Sequence, residues 1–325
     1  MKTHAIRVHQ PGGPDQLVWD EIDLAAPGPG EVLVRHTAVG LNFIDVYHRT
    51  GLYPAPTPFV PGLEGAGRVE AVGPGVTEVK PGDRVAYAGN PMGAYAEARI
   101  IPAHRLVIVP DAITDLQAAA MMLQGMTAHY LLRRTYRVQA GDTILIHAAA
   151  GGVGLIVCQW AKHLGATVIG TVGSEDKAAL AKAHGCDHTI LYKTEDFVAR
   201  VKDITGGAGL PVVYDSVGRD TFLKSLDCLA PLGMMVLFGQ SSGKVELFDT
   251  GLLGAKGSLF LTRPSLMAYT AKRGDLVAAA AELFEVVGSG AVKIEVNQTY
   301  ALKDAVRAHT DLEARKTTGS TVLLP

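Results

Sequence analysis

The sequence predicts an α/β protein that combines a doubly wound parallel sheet with a second, β-rich domain. Residues 143–154 form an apolar run of β-forming residues that ends in a glycine cluster and passes directly into a helix-forming stretch. From there strands and helices alternate as far as residue 262, which is the rhythm of a parallel sheet covered by helices. Residues 1–110 instead contain short apolar segments separated by glycine and proline, which indicates a compact, partly closed β domain.

Five segments of the β-rich part alternate or cluster apolar residues over the length of a strand. The predicted strands are Ala5–His9, Gln16–Trp19, Glu31–Val39, Gly67–Gly73 and Asp83–Ala88. Alanine, leucine and methionine then dominate residues 115–134, so we expect a helix there with a cap at Thr114 or Asp115.

The second part of the chain repeats a strand followed by a helix. After residues 143–154 the predicted strands are Gly165–Val172, His188–Tyr192, Pro211–Ser216, Gly233–Gly239 and Gly257–Thr262. The predicted helices are Leu155–Leu164, Asp176–His184, Glu195–Thr205, Phe222–Cys228, Leu276–Val287 and Leu302–Arg315. A last strand, Ser320–Leu324, ends a C-terminal segment that we expect to fold back onto the first domain.

The glycine cluster has the spacing of a dinucleotide-binding turn, with alanine in place of the first glycine: Ala149-x-Gly151-x-x-Gly154. Such a turn brings backbone N–H groups and the positive end of a helix toward a pyrophosphate. The alternative is a tight turn that binds nothing. The second strand, at the right distance for a βαβ unit, favours a nucleotide cofactor.

Composition and charge limit the possible partners. Lys and Arg total 30 against 32 Asp and Glu, and the net charge is −2, so nucleic acid is not expected as the main partner. No run of about 18 apolar residues is present, so no membrane span is expected. The three cysteines lack any C-x-x-C pair, which favours reduced thiols and a cytoplasmic protein.

The end of the second strand bears on the choice of cofactor. NAD sites place Asp or Glu there to bind the ribose hydroxyls, whereas this strand ends in Val172-Gly-Ser174. Glu175 and Asp176 follow, but they fit the first turn of a helix capped by Ser174. Lys177 is either a phosphate ligand or a solvated helix residue. Because this strand does not end in Asp or Glu, the sequence predicts NADPH as the cofactor.

Several motifs in order resemble those of one family over essentially the whole chain. They are Gly40-Leu-Asn-Phe-Ile-Asp45, Pro61-Gly-Leu-Glu-Gly-Ala-Gly67, Pro81-Gly-Asp-Arg-Val-Ala86, Ala148-Ala-Ala-Gly-Gly-Val-Gly154, Tyr214-Asp-Ser-Val-Gly218 and Tyr300-Ala-Leu-Lys-Asp-Ala305. The chain resembles the zinc-free quinone oxidoreductases, the zeta-crystallin-like branch of the medium-chain dehydrogenase/reductase superfamily, and in particular the bacterial NADPH:quinone reductases. The resemblance implies a GroES-like catalytic domain (1–125 and 266–325), a Rossmann NADPH-binding domain (126–265) and a homodimer.

The resemblance also bears on zinc. Zinc-binding relatives carry a Cys where this chain has Asn42, and a Gly-His-Glu where it has Gly62-Leu-Glu64. Asp45 and Glu64 without a thiolate and an imidazole cannot form the usual catalytic zinc site, so no metal is expected.

The resemblance implies two sets of site residues. For a pocket around the 2′-phosphate they are Ser174, Lys177, Tyr192 and Arg315, and for further cofactor contacts they are Asn42, Asp45, Thr127, Ala150, Gly151, Gly152, Val153, Gly173, Ser216, Phe238, Gly239, Gln240 and Arg263. Simple packing at strand ends is the alternative for Ser216 and Phe238.

Quinone reduction needs a flat apolar pocket and a donor for the negative charge that develops on the quinone oxygen. Asn42 is the predicted donor, and Tyr47 and Tyr53 are predicted to flank the ring, although aromatic residues here could belong to the core. The expected substrate is a quinone. Reduction of an activated C=C bond in an enal or enone is an alternative, and a non-catalytic crystallin-like or RNA-binding role is an alternative of another class.

Overall fold

The computed structural model describes residues 1–325. Its strands are β1 (Lys2–Val8), β2 (Leu17–Asp23), β3 (Glu31–Leu41), β4 (Glu64–Val72), β5 (Arg84–Ala88), β6 (Ala98–Pro102), β7 (Val107–Ile108), β8 (Thr143–Ile146), β9 (Thr167–Val172), β10 (His188–Leu191), β11 (Leu210–Asp215), β12 (Leu229–Leu237), β13 (Phe260–Thr262), β14 (Val296–Ala301) and β15 (Ser320–Leu324). Its α-helices are α1 (Phe43–Arg49), α2 (Asp115–Tyr130), α3 (Gly152–His163), α4 (Glu175–Ala183), α5 (Phe197–Thr205), α6 (Phe222–Ser225), α7 (Gly251–Ala255), α8 (Leu266–Tyr269), α9 (Arg273–Gly288) and α10 (Ala305–Glu313).

The chain forms two compact units. Unit 1 contains residues 1–126, 269–288 and 294–325, and unit 2 contains residues 127–268 and 289–293. The domain limits drawn from the sequence, 1–125 with 266–325 and 126–265, remain a prediction.

Unit 1 is organised around a seven-stranded sheet. Its strands follow the order β14-β15-β3-β4-β5-β7, with β6 also paired to β3, while β1 and β2 form a separate antiparallel pair. The C-terminal strand β15 lies antiparallel to β3, with Val322 opposite Gly40, so the tail does return to the first part of the chain. Side chains such as Val34, Tyr95 and Ile101 fill the core of this unit.

Unit 2 is the predicted doubly wound sheet. Six parallel strands follow the order β10-β9-β8-β11-β12-β13, so the chain leaves β8 toward one edge and later returns to build the other half. This change of direction beside β8 places the strand ends where open α/β sheets bind their ligands. Leu145, Ile169 and Val213 on the central strands are fully buried.

Several elements differ from the sequence-based expectation. The helices α1, α7 and α8 and the strands β6, β7 and β14 were not predicted. The predicted strand Gly257–Thr262 is reduced to β13, because Gly257 and Ser258 have positive φ angles (111° and 55°) that belong to a turn. None of the helices is both long and apolar enough to cross a bilayer.

Candidate active site and cofactor site

The glycine turn in unit 2 joins β8 to α3. Ala148 has a left-handed φ of 56°, and Gly151 is the N-cap of the 12-residue helix α3. A Cβ on Gly154 would lie 2.4 Å from the carbonyl oxygen of Ala148, so only glycine permits this close approach of helix and turn. The turn therefore presents free backbone N–H groups at a helix N-terminus, which suits a pyrophosphate. Ala149, in the place of the usual first glycine, is fully buried.

Three predicted 2′-phosphate residues lie near the end of β9. Ser174 caps α4 by accepting the backbone N–H of Lys177 at 3.4 Å, as the sequence predicted. A Cβ on Gly173 would lie 3.2 Å from the hydroxyl of Tyr192, so that hydroxyl lies directly beside the strand end. The fourth predicted residue, Arg315, belongs to unit 1, where it follows α10 with a φ of 59°.

The ends of the later strands are also brought together. A Cβ on Gly239 would lie 2.6 Å from the carbonyl oxygen of Ser216, so the segments after β11 and β12 are in direct backbone contact. Arg263, after β13, donates to the carbonyl of Leu237 at 3.1 Å. Thr127 is buried in α2, at the first position of unit 2.

In unit 1, a buried polar cluster surrounds Asn42, which is the N-cap of α1 and 5% exposed. Its amide nitrogen donates to Oε2 of Glu64 at 2.6 Å, and its amide oxygen accepts from Nε2 of Gln124 at 3.1 Å. The second carboxylate oxygen of Glu64 accepts the backbone N–H of Leu123 at 2.7 Å. The amide of Asn42 is therefore held at both ends, with one hydrogen on its nitrogen left to donate.

Burial dominates the electrostatics of Glu64. Full burial, with a smaller contribution from the like charge of Asp45, raises the pKa of this carboxyl from 4.5 to about 8. The hydrogen bonds from Asn42 and Leu123 act in the opposite direction and only partly offset burial.

Asp45 begins a second buried chain of hydrogen bonds. Its Oδ2 accepts the backbone N–H of Asn42 at 2.9 Å and the hydroxyl of Tyr95 at 3.0 Å. Arg49 donates to Nδ1 of His309, so the proton of this imidazole lies on Nε2, 3.0 Å from the hydroxyl oxygen of Tyr95. Burial raises the pKa of Asp45 to about 7 and lowers that of His309 to about 3. This chain holds the first turn of α1, and with it Asn42, in place.

The two predicted aromatic residues pack against one another. The rings of Tyr47 and Tyr53 meet edge to face with centroids 5.1 Å apart, and Tyr47 also contacts Phe43. Tyr47 is 7% exposed, whereas Tyr53 is only partly buried. Contact of either ring with a substrate remains a prediction.

No group of three or more His, Cys, Asp or Glu side chains is arranged to hold a metal ion. Asn42 stands where zinc-binding relatives carry a Cys and Leu63 where they carry a His, and the amide of Asn42 is hydrogen-bonded to Glu64 instead.

Four residues of these buried networks are not among the predicted site residues: Gln124, Ser320, Tyr95 and Arg49. Gln124 directly precedes the Gly125-Met-Thr127 motif, so the sequence around it indicates a functional segment. Ser320 lies 196 residues from Gln124, and no motif marks it as part of the site.

The comparisons with known proteins agree with this architecture. Residues 28–111 match the model of the alcohol dehydrogenase GroES-like domain, and residues 152–288 match that of the zinc-binding dehydrogenases. These two matches define a medium-chain dehydrogenase/reductase with a GroES-like part and a Rossmann-like part.

Similar full-length proteins show which family of this superfamily the chain belongs to. The chain is 56% identical to a quinone oxidoreductase of Pseudomonas aeruginosa, covering 97% of each sequence, and 48% identical to a 2-haloacrylate reductase of Burkholderia, covering 98% of each. The crystal structure of the Escherichia coli quinone oxidoreductase in complex with NADPH superposes with a TM-score of 0.98 at 51% identity, covering 99% of this chain and 100% of that one. This chain belongs to the quinone oxidoreductase family of that superfamily.

Proposed function

We propose that this protein reduces quinones with NADPH and without zinc. The observation that carries the proposal is the full-length similarity to quinone oxidoreductases, one of them solved with NADPH. The site geometry supports it, because unit 2 has a dinucleotide turn and unit 1 has a buried amide donor in place of metal ligands.

The residues present fit NADPH. The backbone of residues 150–153 at the start of α3 would hold the pyrophosphate, and Ser174, Lys177 and Tyr192 would hold the 2′-phosphate. Gly173 leaves no acidic side chain at the end of β9 to compete with a phosphate there. When bound, this cofactor supplies a hydride.

Asn42 provides the protein's own contribution to the chemistry. A quinone that accepts a hydride becomes a hydroquinone anion, and the remaining N–H of Asn42 stabilises the oxygen on which this charge develops. The anion then takes a proton from water, so no side chain is required as a general acid.

An assay of NADPH oxidation with 1,4-benzoquinone, a larger naphthoquinone and an enone tests the proposal. We expect turnover with at least one quinone. Turnover with the enone alone would instead support reduction of activated C=C bonds, which the similarity to a 2-haloacrylate reductase favours as the second candidate. A salt-dependent shift of RNA mobility without any NADPH oxidation would favour the RNA-binding alternative.

We also propose a homodimer formed through β13. This strand is the last of the unit 2 sheet, and its Phe260 and Leu261 are 56% and 37% exposed. An open apolar edge of this kind is suited to pairing with a second copy. Light scattering tests this, and a monomer would refute it. A cytoplasmic location, supported by three free buried cysteines, is tested by cell fractionation.

A further inference from the structure

We propose that Glu64 is a positioning residue that sets the direction of the Asn42 amide through a buried hydrogen-bonded chain. The chain, which we call the amide chain, consists of Ser320, Gln124, Asn42 and Glu64. The inference rests on the proposed function, because it concerns the donor assigned to the quinone oxygen.

The amide chain links three separate elements of unit 1. Ser320 on β15 lies 2.8 Å from Oε1 of Gln124 on α2, and Gln124 donates through Nε2 to Asn42 at the start of α1. Asn42 donates in turn to Glu64 on β4. All four residues are at most 7% exposed, so water does not compete for these contacts.

Ser320, at one end of the amide chain, can form a hydrogen bond with Gln124 whichever way the amide of Gln124 points. A hydroxyl can donate to Oε1 of Gln124, as here, or accept from Nε2 if the amide is reversed. In the reversed case its proton still has an acceptor, because the carbonyl oxygen of Ala120 lies 2.9 Å from the same hydroxyl. Ser320 therefore cannot determine which way the two amides point.

Glu64, at the other end of the amide chain, does determine which way the two amides point. An ionised carboxylate only accepts hydrogen bonds, so it requires the nitrogen of Asn42 to face it, and the oxygen of Asn42 must then face Gln124. A neutral group that can donate, whether the protonated acid or a glutamine, can instead face the oxygen of Asn42. The side-chain amides of Asn42 and Gln124 then both reverse their direction, and the remaining N–H of Asn42 no longer points toward the position of the quinone oxygen.

The pKa of Glu64 lies in a pH range that an activity assay can cover. Burial raises its pKa to about 8, and Asp45 on α1 is the charged group that acts on it most directly. The buried phenols Tyr87 on β5 and Tyr95 also lie within reach of its charge. The direction of the Asn42 amide should therefore respond to pH in the neutral to alkaline range.

The test is a pH profile of kcat and of KM for quinone and NADPH, for the wild type and Glu64→Gln. For the wild type we expect kcat to rise with pH through one ionisation well above the ordinary carboxyl range. For Glu64→Gln we expect kcat at least tenfold lower at high pH, without that ionisation, and a KM for NADPH within twofold of the wild type. Wild-type kcat in Glu64→Gln, or the same inflection in both, would overturn the proposal.

Three further variants separate positioning from other effects. In an Asn42→Ala background, Glu64→Gln should lower kcat no further, because Glu64 acts through Asn42. Gln124→Met removes the donor to the Asn42 oxygen and should lower kcat while leaving the KM for NADPH unchanged, and an unchanged kcat would contradict the proposal. Glu97→Gln is the matched control: this carboxylate also accepts a backbone N–H, that of His4, but it lies outside the amide chain and should leave the pH profile as it is.

Failure of the proposed function gives a different result. If the wild type oxidises no NADPH with any quinone, the assignment of the activity fails. If the wild type is active and Glu64→Gln matches it across the pH range, only the positioning role fails.

Discussion

Replacing Glu64 by the neutral isostere glutamine should change how the stability of the protein depends on pH. Burial raises the pKa of Glu64 in the folded protein from 4.5 to about 8. Between these values the unfolded chain releases the proton more readily than the folded one, so rising pH favours unfolding. The destabilisation begins above the unfolded pKa and is complete once the pH exceeds the folded pKa.

The magnitude follows from the pKa difference. The interval from pH 5 to the folded pKa of about 8 spans about 3 pH units, and at ~1.4 kcal/mol per unit the unfolding free energy lost between pH 5 and pH 9 is ~4 kcal/mol. Glu64→Gln cannot ionise and escapes this loss. Asp45, whose pKa burial raises to about 7, adds a loss of the same sign in both proteins, and this loss is smaller in Glu64→Gln because the like charge of Glu64 is gone.

Thermal and urea unfolding of both proteins at pH 5, 7 and 9 measures the effect. The wild type should lose stability relative to Glu64→Gln as the pH rises, and the variant should be the more stable at pH 9. Glu97→Gln serves as the control: burial raises the pKa of Glu97, but hydrogen bonds with His4 outweigh this effect and lower it overall, so its contribution changes little between pH 5 and pH 9. Parallel stability curves for the wild type and Glu64→Gln would refute the buried, proton-binding state of Glu64.

Three other predictions concern the cofactor and the substrate. Asn42→Ala should lower kcat with quinone by about 10²–10³, because one donor to the developing oxyanion is lost. The affinity for NADPH, measured by fluorescence titration, should change little. Unchanged turnover would remove Asn42 from the mechanism. Lys177→Ala should raise the KM for NADPH about tenfold and leave that for NADH nearly unchanged, while the exposed Lys182→Ala on the same helix should change neither; equal effects on both cofactors would contradict the 2′-phosphate assignment. Gly154→Ala should abolish NADPH binding in a calorimetric titration, because its Cβ would lie 2.4 Å from a backbone oxygen, whereas Gly274→Ala, with open space around the added Cβ, should bind normally.

The parts of this fold that follow local patterns could be predicted from the sequence. The glycine turn after β8 and the Ser174 cap of α4 depend on residues within a few positions of one another. The short helix α1 was not predicted, because seven residues carry little periodic signal, although the local contact from the backbone N–H of Asn42 to Asp45 marks its start.

The candidate site could be predicted only in part. Asn42 was predicted as a donor, but its partners Gln124 and Glu64 lie 82 and 22 residues away, and tertiary packing alone brings them together. The raised pKa of Glu64 has the same origin, because burial cannot be read from a carboxylate's sequence neighbours. The sequence therefore predicted the chemistry of the site better than the network that orients it.

The most direct test of the central claim is the rate of NADPH oxidation by the purified protein with 1,4-benzoquinone, measured with EDTA present throughout. We predict turnover that EDTA does not reduce and that NADH supports much less well. Absence of quinone-dependent oxidation, or its loss with EDTA and recovery with added zinc, would contradict the account.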